Sequence, residues 1–255
     1  MTPLMITLLI VAGIAILITI GYLNNAVENS KLEKARLKIE LTERLRRCGE
    51  ITETFPRQFT TPALKLLLTR LELNITQRLL LIDKNNAGLK ARITELEYQI
   101  GLGEKIPVNN PKAPVLTEAK AKDVRLLLEA LHTQITRAAQ EGFLPPVEAK
   151  QWIKEIRRIL VLLHIEFFNN LGQIAFTQNQ PGQARLAFER GVQYLRKQQE
   201  PQLYAEQIKA MEKQLGRANS MVLTNIKPTE DDVNELTEGL KTTEDDDWRK
   251  KAIYD

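Results

Sequence analysis

Residues 4–23, LMITLLIVAGIAILITIGYL, form an unbroken run without one charged side chain. A helix rises 1.5 Å per residue, so a run of about 20 residues crosses a hydrocarbon core of roughly 30 Å. A cleaved signal peptide would open with basic residues, carry a shorter apolar stretch and end at a small-x-small site. Here Met1-Thr2-Pro3 has no base, and Tyr22-Leu23-Asn24-Asn25-Ala26 is a poor cleavage site. A soluble core helix would show a polar face, and none interrupts the run. Residues 1–23 therefore read as a single transmembrane anchor.

Orientation follows from the flank. Nothing basic precedes the run, whereas Lys31, Lys34, Arg36, Lys38, Arg44, Arg46 and Arg47 follow it. Basic flanks stay cytoplasmic and interspersed acids count little. The expectation is an N-terminus outside and the rest of the chain in the cytoplasm, as in a bacterial inner membrane. The basic residues would also face anionic lipid headgroups. Cys48 is the single cysteine, so no intrachain disulfide can form. Its neighbours Arg46 and Arg47 suggest either a thiol of lowered pKa or simply a small residue on a helix face.

Beyond the anchor the chain reads as all-α. Gly, Pro and aromatics are sparse, and no β-branched alternation bounded by turns appears. The expected divisions are a juxtamembrane helix at 24–58, a long helix or coiled coil at 59–103, a linker at 104–116, a helical domain at 117–223 and an acidic disordered tail at 224–255. The juxtamembrane helix carries Glu40 with Arg44 and Glu43 with Arg47, the favourable i,i+4 order. Gly49 and then Phe55-Pro56 should end it. Thr61 followed by Pro62 marks a new start.

From Leu79 the apolar spacing alternates three and four. Leu79, Asn86, Ile93 and Ile100 fall at heptad position a, and Ile82, Leu89 and Leu96 at d. On that register Asn86 is a buried register device in a parallel homodimer through 64–100, with Arg92 facing Glu97 of the partner helix. The same residues allow another reading, in which 83–88 (DKNNAG) is the turn of a hairpin within one chain. The prolines and asparagines of 104–115 (EKIPVNNPKAPV) predict an extended linker. Helices should follow after Thr117, after Pro145-Pro146, after the Asn179-Gln180-Pro181-Gly182 turn and after Pro201, with Gly142 closing the first of them.

The stretch Phe168 to Gly191 resembles a tetratricopeptide repeat. Phe168, Leu171-Gly172 and Ala175 occupy that family's first-helix slots, and Ala184, Phe188 and Gly191 its second-helix slots, with Pro181-Gly182 at the turn. The resemblance implies two antiparallel helices in close approach at Gly172 and Ala184, with Phe168 and Phe188 filling the gaps and Gln183 facing solvent. Pro201 comes later than the family's closing proline. No second copy stands in register, although 117–141 and 146–164 could act as a degenerate repeat and 202–222 as a terminal cap. A plain helical bundle remains the alternative.

No catalytic or cofactor motif emerges. The two histidines, His132 and His164, lie in different predicted helices, and His164 does not share a helix face with Glu166. There is no phosphate loop, nucleophile elbow or zinc-protease signature. The expectation is a protein that is not an enzyme, takes no cofactor or metal, and acts as a membrane-anchored scaffold binding a partner protein. Alternatives are a structural subunit of a larger membrane complex and, through Lys31–Arg47 and Lys150, Lys154, Arg157 and Arg158, a membrane-tethered nucleic-acid binder.

Overall fold

The computed structural model describes residues 3–224. Its helices are α1 (Pro3–Thr54), α2 (Pro62–Ile82), α3 (Ala87–Gly101), α4 (Glu118–Gln140), α5 (Pro146–Thr177), α6 (Pro181–Arg196) and α7 (Ala205–Thr224), with short 3-10 turns between some of them. No strand occurs among the described residues, and the fold is all-α. The acidic stretch 225–255 lies outside the described residues. The chain divides into two units, one of residues up to 54 and 61–108, the other of residues 55–60 and 109 onward.

In the first unit α1 is one uninterrupted helix of 52 residues. It runs through Gly49, contrary to the expected break there. A helical glycine costs only about 1 kcal/mol against alanine, less than the packing of Cys48 and Ile51 on either side contributes. The helix stops at Thr54, where Phe55 stands before Pro56 and is pushed out of the helical region. Residues 19–40 are exposed on every side. Packing begins at Leu41, which joins Cys48, Ile75 and Leu79 in a buried cluster flanked by Leu45, Ile82 and Leu89.

The α2–α3 hairpin corrects the long-helix reading. Thr61 caps α2, its hydroxyl accepting from the Leu64 amide at 3.1 Å, with Pro62 at the first turn. The helix ends at Ile82, and Asn86 is the N-cap of α3, its side chain accepting from the Leu89 amide at 3.2 Å. Asn86 is exposed and stands at a helix start, not within one continuous heptad helix. The stripe it was grouped with folds back within the chain, Leu96 fully buried and Ile93 and Ile100 half-buried. Arg92 is engaged within its own chain. It donates to Glu72 of α2 through Nε at 2.8 Å and Nη2 at 2.6 Å, and to Glu95 through Nη1 at 2.7 Å.

The second unit stacks α4 on α5, α5 on α6 and α6 on α7, each with its chain neighbour. Local chemistry sets the boundaries. Thr117 caps α4 through the Lys120 amide at 3.3 Å. Gly142, at φ +75°, closes that helix in the left-handed region that favours glycine. Asn179 does the same after α5 at φ 58°, with the Gln180 amide donating back to the Ala175 carbonyl at 2.9 Å. Pro146 and Pro181 occupy first-turn positions.

Among the described residues, the helix long and apolar enough to cross a membrane is α5, not one at the N-terminus. Its Ile156, Ile159, Leu163 and Phe167 are buried in the protein, as in a core helix. Residues 4–23 lie in α1, and their reading as a span rests on sequence.

The α2–α3 turn makes a prediction. Asn86→Ala should destabilise the full chain by about 1 kcal/mol through loss of the cap, and Asn86→Ile should do so too. Denaturant unfolding in detergent is the measurement; stabilisation by Asn86→Ile would instead fit a coiled-coil core position.

Candidate docking surface of the helical unit

Two glycines bring α5, α6 and α7 together. A Cβ at Gly172 would lie 2.5 Å from Cε2 and 2.7 Å from Cε1 of Phe188, and would overlap the ring's Cζ. The ring is fully buried and packs on Phe176, centroids 5.6 Å apart, so it has nowhere to swing. A Cβ at Gly191 would meet Met211 Sδ at 2.7 Å and Phe168 Cβ at 3.1 Å. Of the hairpin residues singled out in the sequence, Gly172 meets Phe188 and Gly191 meets Phe168; Ala175 and Ala184 are buried and Leu171 is half-buried. Gln183 is not a solvent residue as expected. It is half-buried, and its Oε1 is enclosed without a hydrogen bond.

Sequence reasoning missed the aromatic cluster beside this hairpin. His164 stacks on Tyr194 of α6 with centroids 4.5 Å apart and planes at 21°, and Tyr194 also tilts toward Phe168 at 6.3 Å. His164 Nδ1 pairs with the Leu160 carbonyl at 2.8 Å. Arg217 of α7 sits over the Phe176 ring at 5.1 Å. Only the spacing of aromatics on successive helices hinted at this.

A second feature was illegible in the sequence. The segment 109–116 has no regular secondary structure, and side chains hold its backbone. Asn110 Nδ2 donates to the Phe55 carbonyl at 2.8 Å, and the Arg57 amide donates to the Pro111 carbonyl at 3.2 Å. Gln58 takes residue 113 at both backbone groups, donating to its carbonyl at 2.7 Å and accepting from its amide at 3.3 Å. Glu166 accepts the Val115 amide at 3.0 Å, and Asn170 donates to the Val115 carbonyl at 3.0 Å. The expected linker begins in a 3-10 turn at Gly103–Lys105 and continues without regular secondary structure, and its Asn110 and Val115 are buried.

The basic residues that follow the apolar run do not form one patch. Lys31, Lys34, Arg36 and Lys38 are exposed along α1, and Lys38 pairs with Asp83 at 3.0 Å. Arg46 and Arg47 are exposed but share Glu43, at 2.8 and 3.0 Å, which holds that carboxyl down at about 2. Arg44 is only 5 % exposed and belongs to the interior. Cys48 turns inward as well. Burial first, and the Glu72 carboxylate second, push its thiol up to about 12, so the reactive-thiol reading is corrected. The half-buried His132 is pulled below its ordinary value by burial and by Arg157. Among the described residues no group of three or more His, Cys, Asp or Glu could hold a metal ion.

Two predictions follow from these positions. Gly172→Ala should destabilise the chain by about 1–3 kcal/mol through overpacking against Phe188. Gly216→Ala, also helical but with open space at its Cβ, should stabilise it by up to about 1 kcal/mol. Thermal or denaturant melts compare them, and equal effects would mean that α5 and α6 do not meet at Gly172. Cys48 should resist alkylation in the folded chain and react on unfolding. Because its folded pKa lies above the ordinary 9.0, its contribution to stability is full below about pH 9 and falls as pH rises toward 12. Cys48→Ala should flatten that alkaline decline in a pH series of unfolding curves.

Comparison with known proteins gives no matching family model, no matching curated protein and no matching solved structure.

Proposed function

We propose that the chain is a membrane-anchored scaffold that binds a partner protein on the cytoplasmic side through the helical unit α4–α7, and that it is a binder, not an enzyme. Residues 4–23 would span the bilayer with the N-terminus outside, and the tetratricopeptide-like hairpin of α5 and α6 would form part of the docking surface. The observation that carries this reading is α1 itself. Its uncharged first part and its packed last part belong to one unbroken helix, with residues 24–40 exposed between them. At 1.5 Å per residue that exposed stretch is a stalk of about 25 Å. A bare helix with no surface of its own supports a spacer role, and its exposed Lys31, Lys34 and Arg36 suit contact with anionic headgroups. The pairing of Lys38, Arg46 and Arg47 with acids, and the burial of Arg44, leave less free positive charge for a nucleic acid.

The test has two arms. A reporter active only in the cytoplasm, fused after Asp255, should work, one active only outside should not, and deletion of 4–23 should release the chain from membranes. A full chain that stays soluble, or the opposite reporter pattern, overturns the anchored topology. Cross-linking in intact membranes should capture soluble proteins at substoichiometric yield. One stoichiometric membrane protein instead would make the chain a structural subunit.

A further inference from the structure

Helix α7 stands at the end of the stack. It packs chiefly on α6, whereas α5 and α6 each have a helical neighbour on both sides. Met211, against Gly191 of α6, and Ala218 are buried. Beside them Ile208, Leu215 and Val222, seven residues apart and so on one line along the helix, are only half-buried. There is room for a further helix on this side, since a Cβ at Gly216 would meet nothing within 4 Å. On the adjoining face Lys209, Lys213 and Arg217 stand one turn apart and are exposed. Arg217 lies over the Phe176 ring, and among the described residues no ion pair engages Lys209 or Lys213.

The sequence that follows α7 carries the complement. Pro228 comes four residues after Thr224, the last residue of α7, just as Pro181 comes four after Thr177 at the turn between α5 and α6. Val233, Leu236 and Leu240 recur at three and four, the apolar line of one helical face. Residues 229–240 also hold five acids, Glu230, Asp231, Asp232, Glu235 and Glu238, and no base. After a turn of that length an antiparallel helix would bring Val233 beside Val222 and Leu240 beside Leu215. We propose that residues 229–240 dock as such a helix on the half-exposed Ile208–Leu215–Val222 line of α7 in the same chain, with their acids drawn to Lys209 and Lys213. The occupant is the chain's own segment because a tether of a few residues gives an effective concentration in the millimolar range, which a second copy does not reach. Twelve residues are too few for a stable helix in water, so the segment is helical only while α7 holds it. Docked, it covers the open end of the stack. This goes beyond the reading of the helical unit as a partner-binding domain and does not depend on it.

Hydrogen exchange of the full chain in detergent, read by mass spectrometry at a low and a high chain concentration, is the test. In wild type the amides of 233–240 should exchange about tenfold or more slowly than in an unstructured peptide, equally at both concentrations. Leu236→Asp should remove that protection, and the double change Lys209→Glu with Lys213→Glu should reduce it about threefold or more. Both lysines are exposed, and exchange in α6 is the internal control for folding. Unprotected amides at 233–240 in wild type overturn the proposal without any variant. Protection that survives the two lysine changes places the segment elsewhere and overturns it as well. Protection confined to the high concentration means that a second copy supplies the helix, and the intrachain docking is then wrong. No membrane or cellular partner enters the measurement, so its failure leaves the topology and cross-linking results standing, and their failure leaves it standing.

Discussion

The ring of Phe188 occupies the space that a side chain at residue 172 would need. The rest of the second unit depends on that exchange of volume. A glycine in the middle of α5 gives up about 1 kcal/mol of helix propensity, whereas full burial of a phenylalanine contributes about 1.5–3 kcal/mol. The trade favours close approach. Gly191 repeats the device one helix on, with Phe168 on one side and Met211 on the other. Isolated helices as short as the 16-residue α6 are marginal in water. It is therefore held by these contacts on both flanks, not by its own propensity.

The first unit solves a different problem. Helix α2 is enclosed by α1 and α3, and beyond its leucines it buries Thr69, Glu72 and Thr76. The two hydroxyls cost little, because each donates to the carbonyl one turn back, at 2.9 and 2.7 Å. Glu72 is different, since a buried carboxylate needs a counter-charge. Arg92 supplies two N–H groups to one of its oxygens. Such a pair adds little net stability, but removing either member strands a charge in the interior. Its consequence is specificity: Arg92 of α3 reaches Glu72 only when the hairpin closes in one register. Second to burial, the same carboxylate, on the helix facing Cys48, helps keep that thiol protonated.

The parts of the fold legible in sequence are those fixed by neighbours along the chain. Thr61, Thr117, Gly142, Pro146 and Pro181 mark helix ends because a cap, a left-handed turn or a missing N–H acts within one turn. Asn86 misled for a physical reason. Both helices of a hairpin present apolar residues at three- and four-residue spacing, and here the turn falls where the spacing continues across it. Only the Asn86 contact to the Leu89 amide distinguishes a cap from a core position. Arg44 and Cys48 misled because charge composition was read without rotation. Successive helical residues differ by about 100°, so Arg46 and Arg47 reach solvent while Arg44 and Cys48, four apart, face α2. The backbone clamp was invisible: Gln58 and Ala113 are 55 positions apart, Gln58 and Glu166 are 108 apart, and no local pattern links them.

The exposed part of α1 poses one more physical question, because a solitary helix of about 20 residues is barely stable in water. Its difficulty is nucleation: the first turn fixes several dihedral angles for a single hydrogen bond, whereas each further residue adds a bond as it is fixed. Residues 41–54 are held helical by packing on α2. On the anchored reading, residues 4–23 are held helical from the other side, since a bilayer leaves backbone groups no partner but one another. The stalk between them then needs only propagation from two existing ends. That explains how residues 24–40 can stay helical while exposed along their whole length, with Lys38 reaching Asp83 only near the packed end, and why a polar, charge-alternating sequence suffices there.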